Sequence, residues 1–124
     1  MIPMSADDFD RAVEQALAEI PGEFRPYLEN VVIEVRKRPD TRLMREEDVP
    51  DDLLGLYLGV PLEDKAADSM EMPMPDRILI FRDNLCEMCE SREELIDEIR
   101  ITILHEVGHH FGLDEERLEE LGYG

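Results

Sequence analysis

The sequence has little positive charge. Its 124 residues include 13 lysines and arginines against 32 aspartates and glutamates, which gives a formal net charge of −19. Because like charges repel, this balance argues against nucleic acid as a partner and against binding to an anionic membrane surface. It is compatible with cationic substrates or ligands and with metal cations, although acidity alone selects none of these.

Long hydrophobic runs and targeting signals are also missing. No stretch approaches the roughly 20 apolar residues of a membrane span, and residues 1–8 lack the basic start of a secretory signal peptide. The two cysteines then favour a reducing compartment. The sequence therefore predicts a cytoplasmic protein, and its length predicts a single domain over residues 1–124.

Histidine is scarce and confined to one segment. His105, His109 and His110 are the only histidines in the chain. A site that gathers histidines from distant segments is therefore excluded. Any further protein ligand to a metal held by this segment must be a carboxylate or a thiolate.

The hydrophobic pattern predicts alternating helices, strands and loops. A capping box at Ser5 and Asp8 starts a helix that ends at Pro21-Gly22. Short apolar and β-branched runs predict strands over residues 31–35, 53–58 and 77–82, with the first of them buried and Asp83-Asn84 ending the last. The polar, proline-containing stretches 36–52 and 60–76 are predicted to be surface loops.

A long helix is predicted near the end of the chain. Ser91 to Glu94 form a full capping box, so the helix should begin at about residue 92, and Gly112 is suited to end it. A short helix is predicted over residues 116–121. Gly108 lies inside the long helix, where glycine costs about 1 kcal/mol relative to alanine. We therefore expect another backbone or a substrate to approach closely at Gly108.

Residues 105–109 read H-E-x-x-H. Residues four apart lie on one face of a helix, so His105 and His109 can direct a ring nitrogen at the same metal ion. Two neutral imidazoles suit zinc, and Glu106 is placed to act on water at the metal. The capping box, the apolar helix face and the residues that follow argue against a chance occurrence.

The pattern continues as H-E-x-x-H-x-x-G-x-x-E, which ends at Glu115. In the metzincin arrangement, which this spacing resembles, the glycine allows a sharp turn and the residue at the eleventh position, usually His, returns to the metal. A carboxylate is an acceptable zinc ligand, so Glu115 is predicted to be the third ligand, and Asp114 is the neighbouring alternative. A ligand from a later helix is less favoured, because Glu119 and Glu120 follow too closely. Other carboxylates and Cys86 or Cys89 stay open as ligands.

Three further features favour structural interpretations. Cys86 and Cys89 have the spacing of half a metal site, but no second pair exists, which favours a reduced pair in the loop before the long helix. His110 lies about 100° around the helix from His109 and is interpreted as a packing residue or a residue that supports a ligand, and not as a ligand itself. The methionines at positions 70, 72 and 74 are interpreted as loop or gap-filling side chains.

With these residues in place, the chain resembles the small, acidic bacterial zincin-like metallopeptidases. The resemblance rests on residues 105–112 with the acidic residues after them, supported by residues 20–24, 54–62 and 75–78. It implies an α+β fold, in which a small mixed sheet packs on an N-terminal helix and on the H-E-x-x-H helix. It also implies one zinc ion per chain, with His105 and His109 as ligands, Glu106 as the catalytic acid/base and Glu115 at the acidic position after the glycine.

The expected activity is zinc-dependent hydrolysis of peptides or of small or unfolded proteins. Zinc would activate a water, and Glu106 would take its proton and return it to the leaving amine. The strand at residues 77–82 is a candidate to hold an extended peptide if it lies at the sheet edge. Tyr57, Arg77 and Tyr123 are candidates to stabilise the oxyanion.

A zinc-binding interaction module with weak or absent hydrolysis is the alternative. No methionine follows the H-E-x-x-H segment to form the Met-turn that metzincins have below the metal site. Little chain remains after this segment to build the far wall of a substrate cleft. Glu106 favours the peptidase, because a structural zinc needs no carboxylate beside an open coordination position.

Overall fold

The computed structural model describes residues 1–59 and 74–122. Its elements, in chain order, are α1 (Ala6–Ala18), a 3-10 helix (Gly22–Leu28), β1 (Val31–Arg36), α2 (Thr41–Glu47), β2 (Gly55–Leu58), β3 (Asp76–Phe81), α3 (Arg82–Met88), α4 (Arg92–Phe111) and α5 (Glu115–Glu120). The fold is α+β, with a small mixed sheet and several helices, as predicted. No helix in the described ranges is long and apolar enough to span a bilayer.

The sheet has three strands in the order β1-β3-β2. β3 lies in the centre, parallel to β1 and antiparallel to β2. Its residues Ile78 to Phe81 are fully buried, in keeping with the nearly continuous apolar sequence typical of a strand covered on both faces. The expectation that this strand could bind a peptide at a sheet edge is wrong, because β1 and β2 occupy both of its hydrogen-bonding sides.

Two serine caps position the main helices. Ser5 Oγ accepts a hydrogen bond from the Asp8 N–H, and Ser91 Oγ accepts one from the Glu94 N–H, each at 3.1 Å. Both helices begin where the capping boxes predict. α1 packs against α4, and Phe9, Ala16, Leu95, Ile99 and Ile103 are among the buried residues of the shared core. α4 also contacts β2 and β3, so it packs between α1 and the sheet.

Segment 36–52 was predicted to be a loop, and this is wrong because it contains α2. Asp40 Oδ1 accepts a hydrogen bond from the Leu43 N–H at 2.7 Å, and Asp48 ends the helix in the left-handed conformation at φ 53°. Leu43 packs with Leu79 and Phe81 on the sheet face opposite the main core. A seven-residue helix with one buried residue produces too little hydrophobic periodicity to be recognised.

The segment after β3 is also helical. Asn84, one of the two residues predicted to end the strand, lies on α3 and donates hydrogen bonds to the Asp51 and Leu53 carbonyls at 2.8 Å. Cys86 is on the same helix and not in a loop, and Cys89 follows its end; both are buried free thiols. Burial raises the pKa of both thiols, that of Cys89 to about 11, so they are protonated near neutral pH.

The remaining differences concern exposure and boundaries. β1 was predicted to be buried, but it is an edge strand and Val32 is 47% exposed. Most of the predicted loop 60–76 lies outside the described residues, including Met70 and Met72, whereas Met74 is exposed and β3 already begins at Asp76.

Candidate metal centre

α4 places His105 and His109 side by side. Their ring centroids are 4.4 Å apart, with an angle of 57° between the ring planes. His105 is half-buried and His109 is exposed, one turn closer to the end of the helix. Gly112 ends α4 at φ 61°, in the left-handed conformation that glycine adopts without steric cost. The chain then turns directly into α5.

Gly108 allows α5 to pack closely against α4. A Cβ atom at position 108 would lie 2.5 Å from Cδ1 of Leu118, which is itself buried. The close approach expected at this glycine is therefore present, but a leucine side chain makes it and not a backbone or a substrate. Glu115 and Glu119 are one helical turn apart and adjacent to Leu118 on α5, so the Leu118 contact brings both carboxylates towards α4.

A pocket of about 160 Å³ lies between the two helices. We call it the histidine pocket. Its lining residues are His105, Gly108, His109, Leu113, Glu115, Leu118 and Glu119. The structure thus brings Glu115 to the same pocket as the two histidines. Glu119 joins them, although the sequence interpretation set it aside as too close in the chain. Its spacing of four residues from Glu115 was the signal that both share one face of the closing helix.

Asp114 and the cysteines lie elsewhere. Oδ1 of Asp114 accepts a hydrogen bond from the Glu116 N–H at 3.0 Å, so this carboxylate caps α5. Cys89 precedes the start of α4, while His105 lies 13 residues into that helix, which corresponds to about 20 Å at 1.5 Å per residue. The cysteine alternative for the third ligand therefore has no geometric support.

The donor set in the histidine pocket matches the preferences of zinc. Two imidazoles and one carboxylate are a common set for catalytic zinc, and a second carboxylate lines the same pocket. Among the described residues, however, no three His, Cys, Asp or Glu side chains converge closely enough to form a metal-binding cluster in this conformation. The assignment of Glu115 as third ligand therefore stays a prediction.

Glu106 faces the edge strand β2. Its Oε1 accepts a hydrogen bond from the backbone N–H of Tyr57 at 2.9 Å. Gly55 permits this approach of strand and helix, because a Cβ atom there would lie 2.6 Å from Cγ2 of Thr102 and 3.2 Å from the Leu79 carbonyl oxygen. The edge strand that lies beside the H-E-x-x-H helix is thus β2. The sequence favoured the strand at residues 77–82, which corresponds to β3, as the strand that would hold a peptide.

Tyr57 also connects His110 to Asp76. The Tyr57 and His110 rings stack with centroids 3.8 Å apart and planes 13° apart. The Tyr57 hydroxyl donates to Oδ2 of the buried Asp76 at 2.7 Å, and His110 Nε2 is 4.0 Å from the same oxygen. Burial, followed by the hydrogen bond to Asp76 and its charge, raises the pKa of Tyr57, so the phenol is neutral. His110 packs here as the sequence predicts.

The three oxyanion candidates are placed very differently. The Tyr57 hydroxyl is already committed to Asp76. Arg77 pairs with Glu34 at 3.3 Å on the sheet, and Tyr123 lies outside the described residues. Each of the two candidates that the structure describes, Tyr57 and Arg77, therefore already has another partner.

Comparison with known proteins identifies a matching family and a similar solved structure. The model of a family described as zincin-like metallopeptidase matches residues 28–124. Among solved structures, a conserved hypothetical protein from T. thermophilus is 25% identical, with a TM-score of 0.53, over 87% of this chain and 94% of that chain. A search of curated proteins returns no match. Because the family model covers well over half of the sequence, including the whole H-E-x-x-H helix and the strands of the sheet, this chain belongs to the zincin-like metallopeptidase family.

Proposed function

We propose that this protein is a zinc-dependent peptidase. In this proposal His105, His109 and Glu115 hold one zinc ion per chain, and Glu106 is the general acid/base. The observation that carries the proposal is the position of Glu106, which follows His105 on α4 and is hydrogen-bonded to the backbone of the edge strand β2. A carboxylate at that position is what peptide hydrolysis requires and what a structural metal site does not.

Zinc, when bound, supplies a Lewis acid that polarises the peptide carbonyl and lowers the pKa of water. The protein's own contribution centres on Glu106. The Tyr57 N–H holds one carboxylate oxygen, and Glu106 makes no other hydrogen bond within the described residues. The second oxygen is therefore available to take a proton from the attacking water and deliver it to the leaving amine.

β2 is the strand proposed to hold the substrate. It is an edge strand, it lies beside α4, and its backbone already contacts Glu106 through Tyr57. An extended peptide can add to such an edge through main-chain hydrogen bonds, which bind peptides and unfolded segments without regard to most side chains. A peptide or an unfolded protein segment is thus the proposed substrate, and the net charge of −19 disfavours nucleic acid and anionic membranes.

The decisive experiment compares zinc-loaded wild type with Glu106→Gln on a mixed peptide library. We expect the wild type to cleave peptides and the variant to lose about a hundredfold or more of the rate, the typical share of a general acid/base. Zinc content should be equal in both. Glu93→Gln, on the exposed first turn of the same helix, is the matched control and should keep full activity.

Two results would contradict the proposal: a wild type that binds zinc but cleaves nothing, or a Glu106→Gln variant as active as the wild type. The first result would favour a zinc-binding interaction module on the same scaffold. The second would move the acid/base to another residue.

A further inference from the structure

A second pocket lies on the other side of His105. It has a volume of about 260 Å³ and lies between α4 and the segment that leads into β2. We call it the Glu98 pocket and define it by Leu53, Leu54, Glu98 and Ile101, together with His105 and Glu106 further along α4. His105 also lines the histidine pocket, so the two pockets share one proposed zinc ligand, and Glu106 lines the Glu98 pocket beside it.

The Glu98 pocket is lined by apolar side chains and, seven residues before His105 on α4, by the carboxylate of Glu98. Leu53, Leu54 and Ile101 are all half-buried, so their side chains are only partly covered by the protein itself. Glu98 is half-buried as well, and it makes no hydrogen bond or ion pair within the described residues. Its neighbour Asp97, by contrast, pairs with Arg100 at 3.0 Å. A half-buried carboxylate without a cationic partner beside apolar walls is complementary to a long side chain that ends in a positive charge.

The distance between Glu98 and His105 along α4 determines how far from the scissile bond such a side chain would lie in a substrate. Glu98 and His105 are seven residues apart on the same face, which corresponds to about 10 Å along the helix. An extended peptide advances about 3.3 Å per residue. The distance from His105 to Glu98 therefore equals the length of about three residues of an extended substrate. A lysine or arginine side chain is itself long, so the basic residue can also lie closer to the scissile bond than three residues.

We propose that the Glu98 pocket selects substrates with a lysine or arginine within about three residues of the scissile bond, on one side of it only. The aliphatic part of the side chain would contact Leu53, Leu54 and Ile101, and its charge would pair with Glu98. This inference rests on the proposed function, because it places the scissile bond at His105 and Glu106. The net charge of −19 adds long-range attraction for the same peptides.

A binding measurement tests the pocket without requiring hydrolysis. Two fluorescent peptides that differ only in one arginine-to-glutamine exchange are titrated with zinc-loaded Glu106→Gln protein, and their anisotropy is followed. We expect the arginine peptide to bind up to about fivefold more tightly, as for a partly solvated ion pair. Adding Glu98→Gln should remove most of the difference and leave only the part that the net charge of the protein supports, and adding Glu98→Lys should reverse it.

Glu14→Lys in the same background is the matched control. Glu14 is an exposed glutamate in the middle of α1 that lines neither pocket, so its exchange changes the net charge as Glu98→Lys does. It should preserve the preference for arginine. Equal binding of the two peptides would overturn the inference, as would a preference that Glu98→Gln leaves intact or that Glu14→Lys removes to the same degree.

Cleavage of the same peptides by the wild type separates this inference from the proposed function. A Glu98-dependent binding preference without cleavage would support the specificity of the Glu98 pocket and contradict the peptidase activity. Equal binding of the two peptides, with equal rates of cleavage, would support the peptidase activity and contradict the specificity of the pocket. The comparison of the two peptides is made on one protein and does not depend on the folding of any Glu98 variant.

Discussion

The backbone N–H of Tyr57 donates to Oε1 of Glu106 over 2.9 Å, which connects the edge strand directly to the proposed acid/base. A backbone donor cannot be removed by changing a side chain, and its position depends on how closely β2 lies against α4. The geometry of Glu106 is therefore sensitive to the residues that set this distance, and Gly55 is the first of them.

Gly55→Ala is expected to separate β2 from α4. The new Cβ atom would meet Thr102 Cγ2 at 2.6 Å and the Leu79 carbonyl oxygen at 3.2 Å, and backbone atoms cannot give way easily. We expect a loss of about 1–3 kcal/mol in the free energy of unfolding, typical of overpacking, and a loss of peptidase activity in the folded, zinc-loaded protein. Urea titration and initial rates measure the two effects.

Gly22→Ala is the control for that substitution, since nothing lies within 4 Å of a Cβ atom at position 22. It should change stability by no more than about 0.5 kcal/mol. Combining Gly55→Ala with Thr102→Ser, which removes Cγ2, should recover part of the lost stability. A Gly55→Ala protein with wild-type stability and activity would show that β2 is not held as closely as the structure has it.

Tyr57→Phe should lower stability in a pH-dependent manner. The variant removes the hydroxyl that donates to buried Asp76, and a lost partner of this kind costs about 1–3 kcal/mol. The pKa of Tyr57 is raised in the folded state, so the folded protein keeps the phenol proton more tightly than the unfolded chain does. The stabilisation is therefore complete below the unfolded pKa of about 10 and declines as pH rises above it.

The measurement is chemical unfolding of wild type and Tyr57→Phe at several pH values between 7 and 11. The difference in unfolding free energy should be constant up to about pH 9.5 and then shrink. Zinc binding should survive the exchange. A difference that grows above pH 10 would contradict the hydrogen bond between the phenol and Asp76.

The two cysteines are expected to be unreactive and dispensable for zinc. Both thiols are buried and have raised pKa values, about 11 for Cys89, so the reactive thiolate is scarce at pH 8. A thiol reagent should modify native protein slowly and urea-unfolded protein at once. Cys86→Ala/Cys89→Ala should retain the zinc content of the wild type. Loss of zinc in this double variant would indicate that a cysteine is a zinc ligand.

Those parts of the fold that depend on local signals could be predicted from the sequence. The serine caps of α1 and α4, the glycine that ends α4, and the three strands all follow from residues close together in the chain. α2 was missed because Leu43 is its one buried residue, and α3 was missed because it directly follows a strand with no separate loop. The strand order was not predictable, because the pairing of β3 with both neighbours joins segments far apart in sequence.

The candidate site also combines features that local sequence predicts with features that depend on tertiary contacts. The spacing of His105, Glu106 and His109 on one helix is a local property, and the structure places the two histidine rings side by side. The contacts of Glu106 with Tyr57 and of Leu118 with Gly108 are tertiary, and they could not be derived from spacing. Glu119 lines the histidine pocket because the contact of Leu118 with Gly108 brings α5 against α4.

The proposed function depends on one zinc ion held by His105, His109 and Glu115, so zinc binding is the first property to measure. Protein purified without chelators is analysed for metal, and zinc affinity is measured by competition with a chromophoric chelator for the wild type, Glu115→Ala and Glu119→Ala. We expect about one tightly bound zinc per chain in the wild type. Glu115→Ala should weaken zinc binding by about a hundredfold or more, since loss of a mere hydrogen-bond partner of a ligand costs about 10- to 100-fold, and Glu119→Ala should retain the zinc. A wild type that binds no zinc would contradict the account, and zinc that is kept by Glu115→Ala but lost from Glu119→Ala would assign the third ligand to Glu119 instead.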